Sequence, residues 1–107
     1  MTKHNNVNFI AHITPKAAYY HDCIEAIKHI LPATRAEKGC LRFELYENAD
    51  RSQLTLIERF ANQAAFDFHH QQDYTQNVFE LYKGWLAKEV EIVPLLRGAN
   101  PSNFSYG

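Results

Sequence analysis

From Val7 to Thr14 the chain reads VNFIAHIT, with Val7, Phe9, Ala11 and Ile13 falling on one side and Asn8, Ile10, His12 and Thr14 on the other. A period of two is that of a strand. Pro15 then sets a helix-compatible φ, with Thr14 as the expected N-cap. Through PKAAYYHDCIEAIKHIL the apolar Tyr20, Ile24, Ile27 and Leu31 recur at helical spacing, opposite a polar row of His21, Glu25, Lys28 and His29. Pro32 is expected to kink or end this helix, leaving ATRAEKG as a last turn or loop closed by Gly39.

Two further alternating segments, CLRFELYE (40–47) and QLTLIERF (53–60), flank the turn-rich NADRS and predict an antiparallel hairpin. Asn62 is placed to cap a short helix through QAAFDFHHQ. A second helix over about 73–88 puts Val78, Tyr82 and Trp85, with Phe79 and Leu86, on one side. VEIVPLLR (90–97) is a last strand, which Pro94 confines to a sheet edge or a bulge. The order β-α-β-β-α-β predicts an α+β, ferredoxin-like fold: a four-stranded antiparallel sheet with helices on one face, in one domain spanning residues 1–107. Ile10, Ile57 and Val93 make the other face apolar too. A second copy packed sheet against sheet is therefore expected, with the tail GANPSNFSYG free to reach across.

Charge narrows the partners. Eleven Lys and Arg balance twelve Asp and Glu without a basic run, which argues against nucleic acid and anionic membranes. The apolar runs fall far short of the roughly 20 residues of a bilayer span, and the polar MTKHNNVNF start predicts a cytoplasmic, soluble chain. Cys23 and Cys40 form no CxxC pattern and read as reduced, unreactive thiols. One Trp, six Tyr and seven Phe are many for this length, and aromatic rings favour ligand pockets and subunit interfaces.

Within FDFHHQQDY, Phe66, His69 and Asp73 share a face if the helix is continuous, so His69 is positioned to polarise or deprotonate a substrate oxygen. The plainer alternative is a core histidine bonded to a backbone carbonyl. His70, about 100° round the helix, is expected to face water. Asn8 and His12 lie on the second face of the first strand, which borders either a pocket, where Asn8 would hold a substrate oxygen, or a subunit interface. Phe79, Tyr82, Trp85 and Tyr74 form an aromatic stripe that serves as core or as the wall of a flat substrate, and Tyr46 can extend that wall. Arg59 is a candidate substrate contact or a member of a cross-strand ion pair, while Arg42 and Glu44 read as an ordinary pair. The His21, Glu25, His29 row matches the wet helix face better than a metal site, and no metal is expected.

The stretch RAEKGCLRFELYENADRSQLTLIERFANQAAFDFHHQQDY resembles the antibiotic biosynthesis monooxygenase, or quinol-monooxygenase-like, family. The likeness is densest at Gly39-Cys40, the Glu47 to Asp50 turn, Glu58-Arg59-Phe60, and Ala65-Phe66 with His69. It implies a homodimeric α/β barrel with a pocket between helices and sheet in each subunit. For some members it further implies O2-dependent oxygenation of phenolic or quinol-type aromatics without flavin, haem or metal, hence no cofactor. Two positions depart from the pattern: Asp73 stands where many relatives have a second histidine, and Phe60 where tryptophan is frequent. In the haem-degrading branch the axial histidine matches Phe79, so a haem ligand is missing here. The expected activity is monooxygenation of a quinol or other electron-rich aromatic, with His69 and Asn8 as catalytic groups. His12, Tyr46, Arg59, Phe66, Tyr74, Phe79, Tyr82 and Trp85 are the expected substrate contacts. The alternatives are an isomerase of a small polar or phosphorylated molecule, which would need cationic contacts such as Arg59 or Lys83 in its pocket, and a non-catalytic dimeric ligand-binding module.

Overall fold

The computed structural model describes residues 6–96. The expected reach of the tail GANPSNFSYG and the first five residues of the polar start lie outside them. Four strands, β1 (Val7–Ile13), β2 (Cys40–Glu47), β3 (Leu54–Phe60) and β4 (Glu91–Leu95), form one sheet in the order β2-β3-β1-β4. All neighbouring pairs are antiparallel. Three α-helices, α1 (Tyr20–Arg35), α2 (Gln63–Gln71) and α3 (Asp73–Trp85), complete the ferredoxin-like α+β fold.

The strand alternation sorts the side chains as the sequence predicts. Phe9, Ala11 and Ile13 of β1, Phe43 of β2, and Leu54, Leu56 and Phe60 of β3 are buried beneath the helices. The α1 seam that meets them runs through Cys23, Ile27, Ile30 and Thr34, with the expected Tyr20, Ile24 and Leu31 half-buried on its flanks. The hairpin turn is closed by Asn48, whose Oδ1 accepts from the Ser52 and Gln53 N–H groups at 2.9 and 3.1 Å. Arg51 there takes the left-handed φ of 57°. Asn62 caps α2 as expected, its Oδ1 accepting from the Ala65 N–H at 2.8 Å. β4 is an edge strand, which accommodates Pro94.

Two local expectations are corrected, and at Pro32 one of two alternatives is settled. Pro15 does not open a helix: the Thr14 carbonyl and Lys16 N–H are engaged by Ala87 and Trp85, each at 2.8 Å, so this stretch is extended and bridges to Leu86. A 3-10 turn at Ala17–Tyr19 leads into α1 instead. At Pro32 the expected last helical turn is the alternative that holds, since α1 runs on to Arg35. Lys28 and Pro32 are both on the exposed side, so the carbonyl that Pro32 leaves without an amide donor faces water. Gln72, with ψ of 143°, separates α2 from α3, so Asp73 begins a new helix and does not continue the face of Phe66 and His69.

Gly39 sets the distance between sheet and α2. A methyl group built there would collide with the Ala65 side chain, while its carbonyl accepts from the Ala61 N–H at 2.8 Å. No helix among the described residues is long and apolar enough to cross a membrane.

Candidate active site

The helices do not fill all the space above the sheet. A small cavity remains, walled by Ile27 and Ile30 of α1, by Phe43, Leu56 and Glu58 of the sheet, by His69 and His70 of α2, and by Thr75, Val78, Phe79 and Tyr82 of α3. The space open to the centre of a water molecule is about 40 Å3, enough for a few waters.

His69 is 3% exposed and packs its ring between Phe43 and Phe60, with centroids 5.5 and 5.2 Å away. Its Nδ1 lies 2.8 Å from Oε2 of Glu37, a residue in the segment joining α1 to β2. The Tyr74 hydroxyl donates to the same oxygen at 2.5 Å. Burial lowers His69 below its ordinary value of 6.5, against the opposing pull of the Glu37 hydrogen bond and charge. The imidazole is thus neutral near pH 7. Because a carboxylate only accepts, the ring proton sits on Nδ1 and Nε2 is left as the ring's acceptor. Burial, and then Glu37, raises the Tyr74 hydroxyl above the usual phenol range, so it remains the donor. This is the arrangement of an oriented base: a carboxylate fixes the tautomer and angle of an imidazole that meets a cavity.

Glu58 is the second ionisable wall group. It is 7% exposed, and burial, followed by the Glu37 charge, pushes its carboxyl up to about 8. His70 departs from expectation. It is half-buried on the cavity wall, with Nδ1 donating to the Phe66 carbonyl at 2.9 Å and its ring 4.1 Å from that of Phe66. Its exposure is curtailed because α3 folds back and places Phe79 against it at 5.6 Å.

Of the sequence-predicted contacts, Phe79 and Tyr82 line the cavity beside His69, and Tyr74 reaches it through Glu37. Phe66 sits behind, edge-on to Phe9 and Phe60. Trp85 stacks on Tyr19 at 5.7 Å, away from the cavity wall. Asn8, His12, Tyr46 and Arg59 occupy the opposite face of the sheet. There Asn8 Oδ1 accepts from Arg59 Nε at 2.6 Å, His12 Nδ1 lies 3.1 Å from Thr55 Oγ1, and the Tyr46 hydroxyl donates to Glu44. The sheet therefore does not bring Asn8 together with His69.

Glu37, Glu58 and Thr75 were not among the expected site residues. Glu58 did carry a signal, since it interrupts the inward apolar series Leu54, Leu56, Phe60. Glu37 carried none, because it meets His69 across 32 positions of sequence.

Comparison with known proteins agrees with this fold. Residues 7–81 match the family model described as Antibiotic biosynthesis monooxygenase. The chain belongs to this family. A Mycobacterium tuberculosis member named "Putative monooxygenase Rv0793" is 40% identical over 68 residues, spanning 56% of this chain and 67% of that protein. The solved structure of Rv0793 superposes with a TM-score of 0.81 at 28% identity, covering 86% of this chain and 94% of that one. Protein SO0527 of Shewanella oneidensis gives 0.78 at 28% identity, covering 87% and 93%. PA3566 of Pseudomonas aeruginosa gives 0.84 at 23% identity, covering 92% and 100%, a likeness of fold alone. In this antibiotic biosynthesis monooxygenase family member the matched span contains Glu37, Glu58, His69 and Tyr74.

Proposed function

We propose that this family member is a cofactor-independent monooxygenase that oxidises a quinol or a related electron-rich phenol with O2. The observation that carries the proposal is the buried imidazole of His69, held by Glu37 through Nδ1 and lining a ring-walled cavity with its other nitrogen unengaged by that bond. His69 takes the phenolic proton. The phenolate gives one electron to O2, and the resulting radical pair joins as a peroxide on a ring carbon. Loss of the ring C–H proton with O–O cleavage expels hydroxide, which leaves as water. Quinol and O2 thus give a hydroxyquinone and water, all four electrons coming from the substrate. The protein's share is placement, exclusion of water and proton handling.

The cavity at its present volume holds water, not a ring. Phe79 is 38% exposed and also borders an open groove with Lys83, Leu86 and Lys88. In the proposed cycle Phe79 swings outward and joins cavity to groove as substrate enters. An isomerase of a phosphorylated molecule is less well supported, because among the described residues the cavity wall has neither Lys nor Arg, with Arg59 across the sheet and Lys83 in the groove. The proposal also includes a homodimer through the outer sheet face, where Ile10, Ile57 and Val93 are only half-buried in the single chain.

The test is O2 uptake by purified, chelator-treated protein with a panel of quinols, using 18O2. Uptake above autoxidation, with one labelled atom in the product and one in water, is expected. Uptake equal to autoxidation for every quinol refutes the proposal.

A further inference from the structure

The oxidation proposed above uses His69 and leaves Glu58, another ionisable group of the cavity wall, without a task. Glu58 stands between Leu56 and Phe60 on β3, opposite Phe9 on β1 and Phe43 on β2, at the centre of the buried sheet face. Its carboxyl is 7% exposed and lines the same cavity as His69. Apolar neighbours tolerate a carboxyl chiefly as the neutral acid, and a neutral acid has an O–H to give.

We infer that Glu58 is a second substrate-binding group of this cavity, donating its carboxyl proton in a hydrogen bond to one substrate oxygen while His69 accepts from another. The inference deepens the monooxygenase reading and narrows its substrate class to an aromatic carrying a hydroxyl and a second oxygen function elsewhere on the ring. A simple phenol would leave one of the two wall groups unmatched. A site built around a buried donor discriminates strongly against ligands lacking the acceptor.

The groups facing Glu58 are Glu37 from the segment joining α1 to β2, Cys40 from the start of β2, His69 and His70 from α2, and Tyr82 from α3, while α1 lines the cavity with Ile27 and Ile30. Burial raises both Cys40 and Tyr82, which keeps them protonated at neutral pH. Burial lowers His69, so its own change of charge falls below the pH values compared in the test. Glu58→Gln isolates the Glu58 proton, because an amide keeps a donor but does not titrate.

The test compares binding of 4-methoxyphenol and 4-ethylphenol, which share shape and differ in one acceptor oxygen, to the full chain by NMR titration under nitrogen. The wild type should bind the methoxy compound about five- to tenfold more tightly at pH 6.5, the worth of one hydrogen bond, and lose most of that preference at pH 9. Glu58→Gln should keep the preference at both pH values, and Glu58→Leu should lose it at both. Equal binding by the wild type at pH 6.5, a preference that survives in Glu58→Leu, or binding of neither compound overturns the inference. A 13C titration showing Glu58 ionised below pH 6 does so as well. No step requires turnover, so a preference found in a protein that fails the O2 test would sink the monooxygenase reading and leave this one standing.

Discussion

On the outer face of the sheet, Arg42 and Glu44 pair at 2.9 Å with 46% and 38% of their side chains exposed. Beneath the helices, Glu37 and His69 pair at 2.8 Å with 4% of each exposed. The distances are nearly the same and the physics is not. Water screens the first pair and competes for its hydrogen bonds, so the pair contributes little. The second sits where an unmet donor or acceptor carries its full desolvation cost, and where a fixed tautomer and a displaced titration can serve chemistry. The same contrast separates the hydrogen bond of Asn8 with Arg59 from the buried carboxyl of Glu58.

Substitutions can break this comparison at graded strength. Glu37→Ala should have the largest effect on stability. It strands the buried His69 Nδ1–H and leaves the half-buried Tyr74 hydroxyl only the Ala33 carbonyl at 3.4 Å, so the unfolding free energy at pH 7 should fall by about 2–4 kcal/mol in a urea titration. Glu58→Leu should act in the opposite sense. The folded state holds the Glu58 proton up to about 8, against 4.5 for the free group, so it binds more protons than the unfolded chain across that window. The Glu58 contribution to wild-type stability should therefore fall as pH rises from about 4.5 to about 8 and then level off, opposed below about 6.5 by the lowered His69. At pH 9 the Leu variant should exceed the wild type by about 1–3 kcal/mol, with the Glu58 share of the slope removed.

Gly39→Ala should cost about 1–3 kcal/mol in thermal or urea unfolding, since its new methyl must push α2 off the sheet at Ala65. Arg42→Ala, on the screened face, should leave the urea midpoint of the monomer essentially unchanged. A loss there as large as that from Glu37→Ala would erase the distinction between the two faces.

The fold was legible because its signals are local. The alternation through VNFIAHIT, the turn between 48 and 52, and the cap at Asn62 each act over a few residues and need no tertiary context. Two errors of detail arose. Distant backbone intervened where Thr14 and Lys16 bond to Ala87 and Trp85 and draw Pro15 into a bridge, and Gln72 breaks the continuity that would have aligned Asp73 with His69. The site was legible only in part. His69 stood out by residue type and Phe79 and Tyr82 by helical spacing. His70 was placed in water because the return of α3 across it is not a local property. Glu37 is invisible to any short-range pattern, whereas Glu58 was a carboxyl in an inward register and could have been read from periodicity alone.

The central claim is that the neutral imidazole of His69, steadied by Glu37, takes the substrate's phenolic proton. The most direct measurement is the rate of enzymatic quinol oxidation by His69→Ala against the wild type, with folding of both checked by circular dichroism. The expected result is a folded variant whose kcat/KM is at least about 100-fold lower, the usual worth of a positioned general base. A folded variant within twofold of the wild type would contradict the account.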